Sequence, residues 1–214
     1  MNDSPSFFRA FIKTFAPVAI LAFFQVHAAN VIPKKFSHPQ IAATPEEIAR
    51  LKKAWLETGA NHDIVAGLVS GAAASLDKPI EFPPRGGQHG QWYQCTKCQL
   101  GLVTVDATHH RCPKCGEVYS GEPYDDVIFG KVHGENLRTA NNAAWAYSVT
   151  GEKKYADLAI SILSGYADRY LDYPFHDANR KQSRSGAHLF AQTLDEAYSS
   201  YNSIGPTFDL VEPA

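Results

Sequence analysis

Four cysteines in two close pairs constrain this chain more than any other feature. They read Cys95-x-x-Cys98 and, after a gap of roughly a dozen residues, Cys112-x-x-Cys115. Two residues between thiolates let a tight turn aim both sulfurs at one ion, and two such turns complete a tetrahedron. The second pair continues as Cys112-Pro113-Lys114-Cys115-Gly116, where proline stiffens the turn and glycine permits a left-handed backbone. The spacing predicts a zinc ribbon with Zn²⁺ held by Cys95, Cys98, Cys112 and Cys115. With all four positions filled by cysteine no place is left for water or substrate, so the expected role is structural. Disulfides are the alternative, since exported proteins commonly pair their cysteines. A bridge within either pair would close a very small, strained loop. His109 and His110, just before the second pair, are expected to be exposed loop residues.

The residues around the ribbon predict helices. Thr44-Pro45-Glu46-Glu47 carries a capping box with proline in the first turn, followed by Ile48, Leu51 and Trp55 at helical spacing, with Gly59 as the stop. A weaker helix is expected over 64–76, then a Pro- and Gly-rich loop over 79–90. Between the cysteine pairs, Leu102-Val103-Thr104-Val105 is a short β-type run. Leu137, Ala140, Ala144, Tyr147 and Ser148 mark one helix face and Tyr155, Leu158, Ala159, Ile162, Leu163, Tyr166 and Tyr170 the next. Thr150-Gly151 turns the pair into an αα-hairpin. A third helix is expected from about Ser185 to Tyr201 with Leu189, Leu194 and Ala197 inward. The fold class is mainly α with a small β insertion. Trp92, Tyr93, Tyr119 and Tyr124 are expected to pack the ribbon.

The start of the chain predicts export. Met1–Thr14 carries Arg9 and Lys13, 15–24 is apolar throughout, and Val26-His27-Ala28 ends on small residues that suit a signal peptidase. An uncleaved anchor is the alternative, but the apolar run is shorter than the about 20 residues a bilayer needs. No stable membrane anchor is expected after cleavage, and the location is secreted or periplasmic. The whole chain has 20 basic and 22 acidic residues, for a net charge of −2. Removing Arg9, Lys13 and Asp3 with the leader leaves 18 against 21, or −3. That balance argues against a nucleic-acid partner, whose phosphates call for a strong basic excess, even with Lys97, Arg111 and Lys114 on the ribbon. The organisation read from these features is 1–28 signal peptide, 29–90 helical segment and loop, 91–120 ribbon and 121–214 helical hairpins. Nothing in the sequence sets an oligomeric state.

Four segments together resemble the N-terminal region of heparinase II/III-like and alginate-lyase-like polysaccharide lyases. They are His38-Pro39 with Thr44 to Lys52; Cys112 to Tyr119 with Gly121-Glu122-Pro123-Tyr124-Asp125; Asn141 to Tyr147 with Thr150-Gly151-Glu152 and Tyr155-Ala156; and Gln192 to Ala197. The resemblance implies an (α/α) toroid of helical hairpins, present here in part, and an acidic polysaccharide of alginate or heparan type as the partner. It also implies β-elimination, in which a Tyr or His moves the C5 proton and an Asn-His pair neutralises the carboxylate. The expectation is that this chain lacks that pair. The catalytic residues are therefore left open, and the chain is expected to be an N-terminal part, incomplete as a catalyst by itself.

Gln192 matches a family position whose amide resembles a substrate-binding group. Arg180, Arg184 and His188, with Lys181 and His176 nearby, form the clustered basic stretch whose forks suit a carboxylate or sulfate; a plain solvated loop is the alternative. Asp195 and Glu196 are expected to cap, pair or orient neighbours. Tyr166, Tyr170, Tyr173 and Phe175 offer stacking faces or core. Two other classes are consistent with the residues: a tetratricopeptide-like scaffold, of which no second copy is visible, and a carbohydrate-binding protein without chemistry.

Overall fold

The computed structural model describes residues 38–214. The expected leader over 1–28 and most of the stretch that follows it lie outside the described residues. The described part is mainly helical, with one small sheet.

Helix α1 (Pro45–Leu56) starts as expected. Thr44 Oγ1 accepts from the Glu47 amide at 3.2 Å, and Glu47 Oε2 accepts from the Thr44 amide at 2.8 Å. Helix α2 (Ala60–Ala73) begins four residues earlier than the expected start, directly after Gly59. Ile64 is 74% exposed, while Val65, Val69 and Ala72 face inward.

Helix α3 (Tyr124–Thr150) is the axis of the body. Its 27 residues span about 40 Å, and it packs against α1, α2, helix α4 (Lys153–Ala167) and helix α6 (Gly205–Val211). Small side chains make this crowding feasible: Ala140, Ala143, Ala144 and Ala146 are fully buried. The α3–α4 turn lies at Gly151, as the sequence predicts, with its backbone left-handed at φ 74°. One apolar core joins α1, α2, α3, α4 and α6 through Ile48, Val69, Ala143, Tyr155 and Leu210. A second joins α3 and α4 to the loops through Leu137, Ile162, Tyr166, Tyr173 and Leu189. The 80–90 loop lies flat on α3 because Gly87 has no side chain: a Cβ there would sit 2.3 Å from Gly130 Cα.

The segment 185–201 corrects the expected single helix. Residues 185–192 form a loop, held to the preceding strand-like segment by a bridge between His176 and Ala187. Helix α5 (Thr193–Ser199) follows, then one π-helical turn (Ser200–Ile204) leading into α6. Leu189 is buried as expected, but Leu194 is 75% exposed and Ala197 is exposed too. Gly186 explains part of this. A Cβ there would fall 2.8 Å from the His176 carbonyl, so the residue serves the bridge rather than a helix.

The sheet is antiparallel, in the order β1 (Val103–Asp106), β2 (His109–Arg111), β3 (Val118–Tyr119), with a bulge between Thr104 and Asp106. No described helix is long and apolar enough to cross a membrane.

Candidate functional site

The two cysteine turns come together beside the sheet's strands in the chain. All four sulfurs lie within 4.8 Å of one another, and none is in a disulfide. Cys95 Sγ and Cys115 Sγ are 3.7 Å apart. A disulfide would need about 2.05 Å. A tetrahedron of thiolates at about 2.3 Å from a central ion has edges of about 3.8 Å, so the spacing suits a metal and not a bridge.

Both turns have the same construction. The residue after each second cysteine is left-handed: Gln99 at φ 54° and Gly116 at φ 76°. The Cys98 amide donates to Cys95 Sγ at 3.3 Å, and the Gly116 amide closes the second turn on the Cys112 carbonyl at 3.0 Å. Glycine was legible in one turn; in the other a glutamine adopts a backbone that costs it energy.

The thiols differ in acidity. The Tyr119 hydroxyl, 3.2 Å from Cys95 Sγ, leads the groups that lower that thiol to about 6. Cys98 is pushed up to about 12, first by its hydrogen bond to Cys115 and then by desolvation. One sulfur is ready to be a thiolate, whereas its neighbour resists ionising unless a cation arrives to share the charge. This donor set can hold a metal ion, and it leaves no protein-free position for substrate. Cys95, Cys112 and Leu102 form a small core with Tyr93, Tyr119 and Tyr124 around it. Those three tyrosines pack the ribbon as expected. Trp92 does not belong to that core and lies toward the Arg180 loop.

The two histidines lie on β2 and not in the expected loop, and only one of them has the expected exposure. His109 is exposed beside Asp106, but His110 is fully buried. Successive residues of a strand point to opposite faces, so β2 turns His110 inward. Its Nε2 meets Asp125 Oδ1 at 3.1 Å on α3 and its Nδ1 meets the Tyr93 hydroxyl at 2.9 Å. Asp125 also accepts from the Gly121 amide at 2.8 Å. This polar clasp fastens the sheet to the helical body.

The candidate sugar-binding residues occupy separate settings. Arg180 stands in a left-handed turn at φ 60° with its guanidinium 5.1 Å from the Trp92 ring centre. Arg184 is exposed. His188 donates through Nδ1 to the Tyr173 carbonyl, 2.6 Å away, with its ring against Tyr170 and Phe175. Gln192 is the residue before α5, outside the helix in which it was expected, and its amide donates to Asp195 at 3.4 Å. Among the described residues no direct hydrogen bond, ion pair or ring contact joins Arg180, Arg184, His188 and Gln192 to one another. Glu196 serves its own chain: it accepts from the Leu189 and Phe190 amides and from the Tyr170 hydroxyl.

Sequence reasoning missed a buried network under the loop. His133 is fully buried, with Nε2 3.0 Å from the Arg85 carbonyl and Nδ1 3.0 Å from the Tyr166 hydroxyl. A carbonyl only accepts, so Nε2 carries the proton and Nδ1 accepts from Tyr166. Burial lowers the pKa of His133 and raises that of Tyr166, which keeps both neutral. Asn136, one turn along α3, donates to Tyr166 and to the Glu81 carbonyl. The available signal was His133 and Asn136 three apart, on the helix face that continues with Leu137 and Ala140.

An Asn-His dipeptide does occur, against the expectation that the chain lacks one. Asn61-His62 opens α2. Its histidine stacks on Trp55 at 5.6 Å and meets the Trp55 carbonyl at 3.0 Å, while Asn61 is exposed. The histidine is thus engaged with the end of α1.

No family model matches the chain. One curated protein is similar over part of it: an exo-oligoalginate lyase of Saccharophagus degradans, 40% identical over 65 residues. Those residues are 30% of this chain and 9% of the relative, so the chain spans a small fraction of that protein's length. The likeness is partial and lyase-like.

Proposed function

We propose that this chain belongs to an exported polysaccharide lyase that cleaves a uronate-containing polymer by β-elimination. The observation that carries the reading is the 40% identity over 65 residues with an exo-oligoalginate lyase. The mainly helical body supports it, as a partial (α/α) toroid of hairpins onto which a ribbon is fastened. The metal is zinc, in keeping with four thiolates at tetrahedral spacing and with a site closed to substrate.

In this reaction a base removes the proton at C5, the bond to the 4-linked sugar breaks, and the leaving oxygen is protonated. Charge builds on the uronate carboxylate as the proton departs, so a donor or cation must face it. Arg180, Arg184, His188 and Gln192 are the residues we assign to holding the acidic sugar. The base and acid are not assigned. Each turnover leaves a C4–C5 double bond, which absorbs in the ultraviolet.

The test expresses the protein from its complete reading frame, supplies alginate and heparan-type polymers, and follows that absorbance. A rise on a uronate polymer, with none on a neutral glucan, is expected. No rise on any uronate polymer rejects the lyase reading. Binding without a rise would leave a carbohydrate-binding protein without chemistry.

A further inference from the structure

A cleft of 480 Å³ separates the ribbon from the Arg180 loop, lined among others by Gln91, Trp92, Gln94, Gln99, Glu122 and Arg180. That volume falls within the range of about 300–1,000 Å³ usual for small-ligand clefts. Its parts are fixed in place. The Trp92 indole N–H donates to the Ala178 carbonyl at 2.8 Å, tying the ring to the loop opposite. The loop itself is wound around Asp177, whose carboxylate accepts from the Asn179 and Lys181 amides at 2.8 and 2.9 Å. Buried Gln88 donates to the Asp177 carbonyl at 3.1 Å. These bonds hold Arg180 in a left-handed backbone that a free arginine rarely adopts.

The charge of Arg180 is uncommitted. Arg50, Arg85 and Arg138 each pair with a carboxylate, whereas Arg180 has no ion pair among the described residues and rests only on the Trp92 ring. Glu122, the one acid among the described residues that line the cleft, is 3.6 Å from Arg85 and so has its own partner. Gln91, Gln94 and Gln99 form no side-chain hydrogen bond among the described residues, which leaves three amides for hydroxyl groups. One forked cation, one rigid aromatic edge and several neutral amides suit a sugar ring bearing a carboxylate. A phosphate polymer would need many cations, and an apolar ligand would strand the amides.

We infer that this cleft is a binding subsite for a uronate residue, with Arg180 forking the carboxylate and the ribbon glutamines taking the hydroxyls. The inference rests on the acidic-polysaccharide reading above and gives the ribbon a second role: its fold builds one wall of a sugar site.

The test titrates the full, metal-loaded chain, labelled with ¹⁵N, with a mannuronate trisaccharide and with cellotriose. The trisaccharide is expected to shift the Trp92 indole and Arg180 guanidinium signals, and cellotriose to bind at least about tenfold more weakly, since a charge-assisted fork is lost. Arg180→Ala is expected to weaken trisaccharide binding by about tenfold or more, and Arg180→Lys by less, because the charge stays and the fork goes. Unchanged ribbon amide signals in both variants verify their fold. The inference is overturned if the trisaccharide fails to bind, binds without moving the Trp92 indole, binds Arg180→Ala equally well, or is matched by cellotriose. Arg180-dependent binding with no β-elimination would end the lyase reading alone. β-Elimination with no response at Arg180 or Trp92 would end the subsite alone.

Discussion

The ribbon and the helical body sit side by side but are stabilised by different means. The body has two apolar cores that draw on α1–α4 and α6. The ribbon has three buried apolar residues, two of them cysteines, and its strands expose Val103, Val105 and Val118. Hydrophobic burial scales with area removed from water, and so little area cannot hold about thirty residues against their chain entropy. The difference teaches that packing can account for the order of the body, whereas the ribbon needs something more, which its four close sulfurs could supply by holding a metal ion. Each should therefore fail without the other.

The largest effect tests the ribbon. Cys112→Ser, at a buried ligand, should reduce bound metal from one ion per chain to none and erase amide protection over 103–119. The helical ultraviolet signal should persist, and chelation of the natural protein should give the same pattern. Loss of the helical signal along with the ribbon would show that the two regions are one cooperative unit.

Next comes the body. Ile162 is fully buried in the second core. Ile162→Ala should cost about 3 kcal/mol, read as a lower midpoint in urea with metal content unchanged. Metal release at the same urea concentration as helix loss would contradict the separation.

What could be read in advance divides along the same line. Ligand spacing is local, so the cysteine turns and the strand between them stood out in the sequence. The α1 capping box and the Gly151 turn are local too. What was hidden depends on partners far along the chain. His110 finds Asp125 only because a strand face turns it inward, and His133 finds the Arg85 carbonyl 48 residues away. The segment 185–192 has helical composition in part, but Gly186 is engaged by a bridge to residue 176 that no local pattern announces. Asn61-His62 shows the converse: the dipeptide is visible, but its environment decides what its histidine does.

Asp209 tests a third means of holding, polar and long-range. It is fully buried on α6, and its carboxylate meets His38 Nδ1 at 2.6 Å and accepts from the Gln40, Ile41 and Ala42 amides at 2.8, 2.7 and 3.2 Å. Burial by itself would raise its pKa; the His38 bond and the three amides outweigh that and hold it below 3.8. A depressed carboxylate stabilises the fold fully above its unfolded pKa, and that stability fades as pH falls through the lower folded value. Asp209→Asn should cost about 2–3 kcal/mol near neutrality, because an amide group then faces backbone donors. The loss should shrink below pH 4 or so as the natural protein protonates Asp209. An equal loss at pH 3 and pH 7 would mean that shape, not charge, does the holding.

The smallest effect uses similar chemistry in the open. Thr44 Oγ1 accepts one amide of α1 and is reached in return by Glu47. Both residues are exposed, so water replaces whatever bond a mutation removes. Thr44→Ala should cost about 1 kcal/mol, seen as a small fall in Tm with neither metal content nor the Asp209 pH dependence altered. At Asp209 the same kind of acceptor is sealed from solvent, and the amides it serves have no substitute. If Thr44→Ala cost as much as Asp209→Asn, solvent access would not be what sets the worth of these bonds, and the contrast between buried and open polar clasps would fail.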